Sequence, residues 1–464
     1  MNMMGKKRTA IFSVLFAAIF VFLFSYILKI FIYDGKTSDY TSFGEKNDIK
    51  ILNCWNNNSK NDVLSGLISE YTKQHPDTAI TNESLSETDF IMRLQTDFSS
   101  GQESDIIIGY PNYNIKTLYE RGKLANLSDT LRSDPLWYGS IDKNTLSFAS
   151  TSADSIYGIT TESDYIAMYI NETLFTQFGI AVPKSYDALL TAVSLFNSQK
   201  ITPIACGFAD ADVPLYSAVI SSLGGALSMN RVISGAESPA PYFTGALNYV
   251  KQLYTLGAFP EDCMQMTRKD AQNVFINNSA AMIIESSGFA GDICIQAPSV
   301  FRQSDTNYKI YAFPEVRPSN TIVTRDSDLH LSAIPYGAGS STFFASTAAF
   351  EKKRESTADL LKYLTSKAAS HSFYMKTKYM CCIKDATDNE PKRTLILDRD
   401  LFLKKITEYS PMPGSIIESR VWTSMLQAQL PAIFSGTATA EDVWERAYSA
   451  FIAVNRAGNI AAKE

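Results

Sequence analysis

Through the first third of the chain, short apolar runs bounded by polar turns alternate with stretches of helical period. Asp48–Trp55 reads as a buried strand ending in an aromatic, followed by the loop Asn56-Asn57-Asn58. Val63–Gln74 has the spacing of an amphipathic helix and is closed by His75-Pro76-Asp77. Thr78–Glu83 is a second short strand, and Asp89–Phe98 a second helix that ends at Ser99-Ser100-Gly101. Asp105–Ile108 is a third buried strand stopping at Gly109-Tyr110-Pro111-Asn112, and Ile115–Arg121 is a third helix, ended by Gly122. Strand and helix taking turns in this way predict an α/β fold with a parallel sheet under covering helices. In such sheets ligands bind beyond the carboxyl ends of the strands, here Trp55/Asn56 and Tyr110/Asn112.

The middle of the chain keeps the pattern. Leu189–Ser198 is helical and Thr202–Gly207 a strand. Lys251–Phe289 reads as a helix, a turn at Leu256-Gly257-Ala258-Phe259-Pro260, and a second helix through Ala271–Phe275. The short apolar strand Ala281–Ile284 follows and ends at Glu285-Ser286-Ser287-Gly288-Phe289. A buried strand that stops at small polar residues and an aromatic presents backbone groups and a ring to a cleft.

At the amino terminus, Lys6-Lys7-Arg8 precede Ala10–Leu28, an apolar run broken by Ser13 and Ser25. Such a run is long enough to cross a hydrocarbon core of about 30 Å. The preceding positive charge predicts a cytoplasmic tip; the length of the run and the want of a clean small-x-small site after it predict an uncleaved signal anchor, with a cleaved signal peptide as the rival. Residues 1–33 are then tip and membrane segment, and the polar stretch 34–47 is a tether. Everything from about residue 45 onward is expected outside the cytoplasm.

The 464 residues imply two or three lobes, and 45% apolar content is enough for large cores. A net charge of −6 speaks against a nucleic-acid surface, and 24 Tyr and 27 Phe suit a neutral polar ligand. Six cysteines lack a Cys-x-x-Cys spacing, and the three histidines are isolated, so no metal or cofactor is expected. Nucleotide-binding glycine motifs and the Gly-x-Ser-x-Gly elbow are missing as well.

The run Leu253…Gly257, Phe275…Ala280-Ala281-Met282 and Gly288-Phe289 resembles a central signature of the extracellular sugar-binding proteins of bacterial ABC importers. There a helix ends "L-x-x-x-G" and is followed by "F-x-x-G-x-A-A-M", a strand and "G-S-W". The resemblance extends through Ile156-Tyr157-Gly158-Ile159, Tyr169-Ile170-Asn171…Leu174-Phe175, Gly179-Ile180 and Pro183…Asp187, then Ala358–Ser366 and the piece from Met412-Pro413 to Trp422 and Gly436. It runs from about residue 48 to about 455, with Ser104 and Thr160 in place of Pro, and Tyr186 and Phe289 in place of Trp.

The resemblance implies extracellular solute-binding protein family 1, of the maltodextrin-binding kind, with a two-lobed periplasmic-binding-protein fold of type II. Lobe 1 is expected over 48–158 plus 335–385 and lobe 2 over 159–334 plus 386–464. Tyr157–Ile170 is then the first crossing between lobes, and Gly337–Ser340 the return. The implied partners are a carbohydrate, the permease subunits of an ABC importer, and the membrane through the N-terminal helix. Sugar recognition needs flat aromatic faces beside hydrogen-bonding side chains. Five places offer the combination: Trp55 with Asn56 and Asn57; Tyr110 with Asn112; Glu162, Asp164 and Tyr165; Glu285 with Phe289; and Trp422. Two other classes are compatible with the same pattern. One is an anchored ligand sensor or adaptor for a membrane kinase. The other is an extracellular carbohydrate-active enzyme using paired carboxylates such as Glu162 and Asp164.

Overall fold

The computed structural model describes residues 47–210, 212–296, 308–316, 333–405, 409–412 and 428–461. Asp48–Glu464 form one compact unit. The expected membrane segment Ala10–Leu28 lies outside the described residues, and no helix among the described residues is long and apolar enough to cross a membrane.

The first half of the chain builds strands β1 (Asn47–Asn53), β2 (Thr78–Ser84) and β3 (Ile106–Gly109), separated by helices α1 (Ser59–Gln74) and α2 (Glu87–Ser100) and followed by α3 (Tyr113–Glu120). Local chemistry fixes the ends of α2. The Ser86 side chain accepts from the Asp89 amide, and Gly101 takes the left-handed conformation at the C-cap. Ile106, Ile107 and Ile108 are all fully buried, as a strand covered on both faces requires.

β1 and β3 pair in parallel, as the alternation predicts. The completed sheet is mixed, however. Two further strands, β4 (Gly158–Thr160) and β10 (Thr342–Ala345), extend it in the order β2-β1-β3-β10-β4. β10 runs antiparallel to both β3 and β4, because it belongs to a segment returning from the second half of the molecule.

The spine of the second sheet is β5 (Glu162–Asn171), buried along nearly its whole length. It pairs antiparallel with β7 (Ala280–Ser286), β8 (Tyr308–Tyr311), β9 (Ile334–Ala338) and β11 (Met380–Cys381). β6 (Thr202–Ala205) extends the sheet beyond β7, and β12 (Tyr409–Ser410) lies beyond β9. The chain therefore enters the second sheet at Thr161, returns to the first at Gly339–Ser341, and leaves again between Ala386 and Leu395, which sit in different cores.

The helices α4 (Pro214–Ile233), α5 (Ala240–Thr255) and α10 (Ala440–Ala461) cover one side of the second sheet. α10 presents Val443, Trp444 and Ala447 inward, and Trp444 lies 5.0 Å from Phe243 on α5. On the sheet's other side lie α6 (Arg268–Ile276), α7 (Phe289–Gln296) and α9 (Thr394–Lys405). α8 (Lys367–Thr377) packs on α1. Trp137 is structural, with its indole N–H donating to Thr365 Oγ1 at 2.9 Å. All six cysteines are free thiols.

Candidate functional site

Between the two sheets lies a cleft of about 1610 Å³. Its aromatic lining comes from both sides. Tyr110 follows the carboxyl end of β3 and is 39% exposed. Tyr336 on β9 is set edge-on to Phe148, ring centroids 5.1 Å apart, and lies 4.8 Å from Tyr409 on β12. Tyr379, just before β11, completes the set. These half-buried rings offer flat apolar faces with a polar tip, the geometry that suits the C–H faces and hydroxyls of a sugar.

Carboxylates and one guanidinium form the polar wall. Asp164 and Ile166 reach the cleft from β5, whereas Tyr165, Ala167 and Tyr169 enter the core on the opposite face, as the two-residue period of a strand dictates. Asp164 Oδ1 accepts from the Ser287 amide at 2.8 Å and the Ser287 hydroxyl at 2.5 Å. Burial pushes the Asp164 carboxyl up, against these two bonds. Arg268 opens α6, whose N-cap Thr267 and Asp270 form a reciprocal capping box. Its Nε and Nη2 grip Glu285 Oε1 and Oε2 at 2.7 and 2.6 Å, and Nη1 donates to Asp212. Gln272 and the Ser286 amide also donate to Glu285, at 3.0 and 2.8 Å. Glu87 lines the cleft with part of its surface exposed; desolvation by the surrounding protein, reinforced by Asp212 and opposed by Arg268, pushes its carboxyl up to about 7. Burial likewise raises Asp292 to about 6, with Lys269 opposing. Among the described residues no cluster of His, Cys, Asp and Glu is arranged to hold a metal ion.

Two layered α/β lobes around a ring-lined cleft are matched by a family model over residues 66–394, that of the bacterial extracellular solute-binding proteins. The chain belongs to this family. A multiple sugar-binding protein of Streptococcus mutans is 22% identical to this solute-binding protein over 342 residues, 71% of this chain and 74% of that one. A structure from work on xylan utilization by Caldanaerobius polysaccharolyticus superposes with a TM-score of 0.71 at 18% identity, covering 86% of this chain and 98% of the other. A sugar transporter protein from Bacillus licheniformis, in complex with stachyose, gives 0.66 at 14% identity, covering 87% and 99%. These likenesses establish a two-lobed solute-binding fold.

Of the residues singled out from sequence, the solute-binding protein brings Tyr110, Asn112 and Asp164 to the cleft. The Asn112 side chain also caps α3, accepting from the Ile115 amide at 3.2 Å. The others sit elsewhere. Trp55 is 2% exposed, packed edge-on against Phe373. Asn56 and Asn57 are exposed at a left-handed turn off the cleft lining. Glu162 is buried against Lys60, and Tyr165 is buried with its hydroxyl donating to the Arg399 carbonyl at 3.0 Å. Glu285 lies behind Arg268. Phe289 does not point outward from a strand end; it begins α7, 1% exposed between Tyr169 and Phe275. Trp422 lies outside the described residues. Sequence reasoning missed Arg268, Asp212, Tyr336 and Tyr379. Three of these have one available signal, a position beside a crossing or at a helix start.

Proposed function

We propose that this protein captures a neutral oligosaccharide outside the cytoplasm and delivers it to an ABC importer by closing the lobe built on the first sheet over the lobe built on the second. The observation that carries the reading is the interlobe cleft, where Tyr110, Tyr336, Tyr379 and Tyr409 stand beside Asp164, Asp212 and Asp292. Its volume accommodates several sugar rings, and its carboxylates accept from hydroxyls. The Streptococcus mutans relative bears the name of a sugar-binding protein, and the Bacillus licheniformis structure holds stachyose. Binding without turnover is the role: of the pair Glu162 and Asp164 that an enzyme would use, Glu162 is held by Lys60 away from the cleft lining, and Glu285 is held by Arg268. The apolar run Ala10–Leu28 anchors the chain in the membrane.

The test is calorimetry on the detergent-solubilised full chain with stachyose, raffinose, xylo-oligosaccharides and chitin oligosaccharides, with amino acids as controls. A sugar binds, and Tyr336→Ala or Tyr379→Ala each weakens it about tenfold, the loss of one stacking face worth ~1.4 kcal/mol. Binding to amino acids and to none of the sugars refutes the reading.

A further inference from the structure

Lys60, on α1 of the first lobe, is 3% exposed, so its ammonium is packed among protein groups. Its ammonium donates to Glu162 Oε2, at the first residue of β5 in the second sheet. It also donates to Ser340 Oγ at 2.8 Å and Ser341 Oγ at 3.3 Å, on the returning segment. Ser341 in turn donates to the same Glu162 oxygen at 2.7 Å. The ammonium stands 4.6 Å from the ring centroid of Tyr379, which borders both β11 and the cleft. Trp55 braces the group by donating from its indole to the Ser340 carbonyl at 3.1 Å. The backbones are laced at the same spot: Thr161 N to Ser341 O at 3.0 Å, Gly339 N to Glu162 O at 2.7 Å, Cys382 N to Thr161 O at 2.8 Å. One buried cation of the first lobe thus touches the entering strand β5 and the returning segment Ser340–Ser341, and stands over the ring that precedes β11. Glu162 Oε1, buried beside it, has no hydrogen-bond partner among the described residues.

A buried ion pair is tolerated only in the geometry that satisfies it, since separating its members strands two charges in a medium that solvates neither. Lys60 moves with the first lobe and Glu162 with the second sheet, so a change in the angle between lobes must deform the pair. At about 1610 Å³ the cleft is larger than the roughly 300–1,000 Å³ of a filled small-molecule site, which marks this as a setting with the lobes apart. We infer that Lys60 is a positioning residue that holds the hinge in this open setting, and that it thereby sets ligand affinity without touching the ligand. The inference rests on the reading of the protein as one that closes on its solute. Affinity then falls with the fraction of molecules held open, because only the closable fraction binds productively.

The test uses the full chain in detergent, spin-labelled at Ser99→Cys on α2 and Asn273→Cys on α6, with the Lys60→Met/Glu162→Gln double variant in that background. Pulsed electron resonance without ligand reads the distance between lobes, and calorimetry reads stachyose affinity. The expected result is a ligand-free distribution shifted to shorter distances and stachyose bound at least fivefold tighter. An unchanged or longer ligand-free distribution overturns the inference. If stachyose binds neither protein, the solute reading fails for that sugar, while the ligand-free distances still decide the hinge. Should the double variant not fold, Ser340→Ala/Ser341→Ala loosens the same cluster without stranding a charge and is judged by the same distances.

Discussion

Replacing Arg268 with Met strands Glu285. That carboxylate is 1% exposed and is held by two guanidinium bonds, one amide side chain and one backbone amide. The variant removes both charge-assisted bonds and leaves the neutral ones. An orphaned buried charge costs about 3–5 kcal/mol. The Arg268 side chain is 28% exposed, so water can follow it out, and Gln272 and the Ser286 amide still donate. These features place the expected loss near the lower end, at about 3 kcal/mol. The double variant Arg268→Met/Glu285→Gln removes the stranded charge while keeping an oxygen for Gln272, and should lose only about 1 kcal/mol, the scale of one net hydrogen bond. Urea unfolding followed by tryptophan fluorescence reads the difference. For a slope of about 3 kcal/mol/M, the single variant moves the midpoint down by about 1 M and the double by about a third of that. Equal losses in the two variants would show that Arg268 does not compensate Glu285.

Three further outcomes follow from burial. Phe289→Ala should cost about 3–5 kcal/mol as a core truncation and leave the sugar affinity of the folded protein within about twofold; a large affinity loss at unchanged stability would put the ring in the cleft after all. The Glu87 carboxyl, raised from 4.5 to about 7, holds a proton in the folded chain that the unfolded chain has released, so stability falls as pH rises across that window. Glu87→Gln should therefore flatten the fall in melting temperature between about pH 5 and pH 8, and an unchanged slope would refute the assignment. Burial pushes the Cys381 thiol up to about 11 and the Cys206 and Cys382 thiols higher still. Ellman's reagent at neutral pH should label the native protein slowly and all six thiols in urea, whereas rapid native labelling would contradict the burial.

The order of strands and helices was legible because burial writes a period into the sequence. Ile106-Ile107-Ile108 announces a covered strand, and Ser86 and Gly101 bracket a helix. The mixed character of the first sheet was hidden, since nothing near β3 records that Thr342–Ala345 will lie beside it. Side-chain direction was the harder problem. Tyr165 follows Asp164 by one residue, and that single step turns it from the cleft into the core. Phe289 was read as a strand-end ring, but Gly288 ends the strand's direction and a helix begins. Lys60 gave no sign in a polar-looking helix start, because its burial depends on Glu162 and Ser340, far along the chain.

β10 fills the gap between β3 and β4 and is made from residues that leave the ribosome long after both. Until Thr342–Ala345 emerges, β3 carries a bare edge of isoleucines, a template for pairing with the wrong chain. The first lobe therefore cannot finish until much of the second has been synthesised, and pairings this distant in sequence are slow to form. A nascent chain that must wait unfolded is one that can be threaded through a membrane before it folds. A product ended before Thr342 keeps the bare edge for good and should accumulate as aggregate rather than as half a protein.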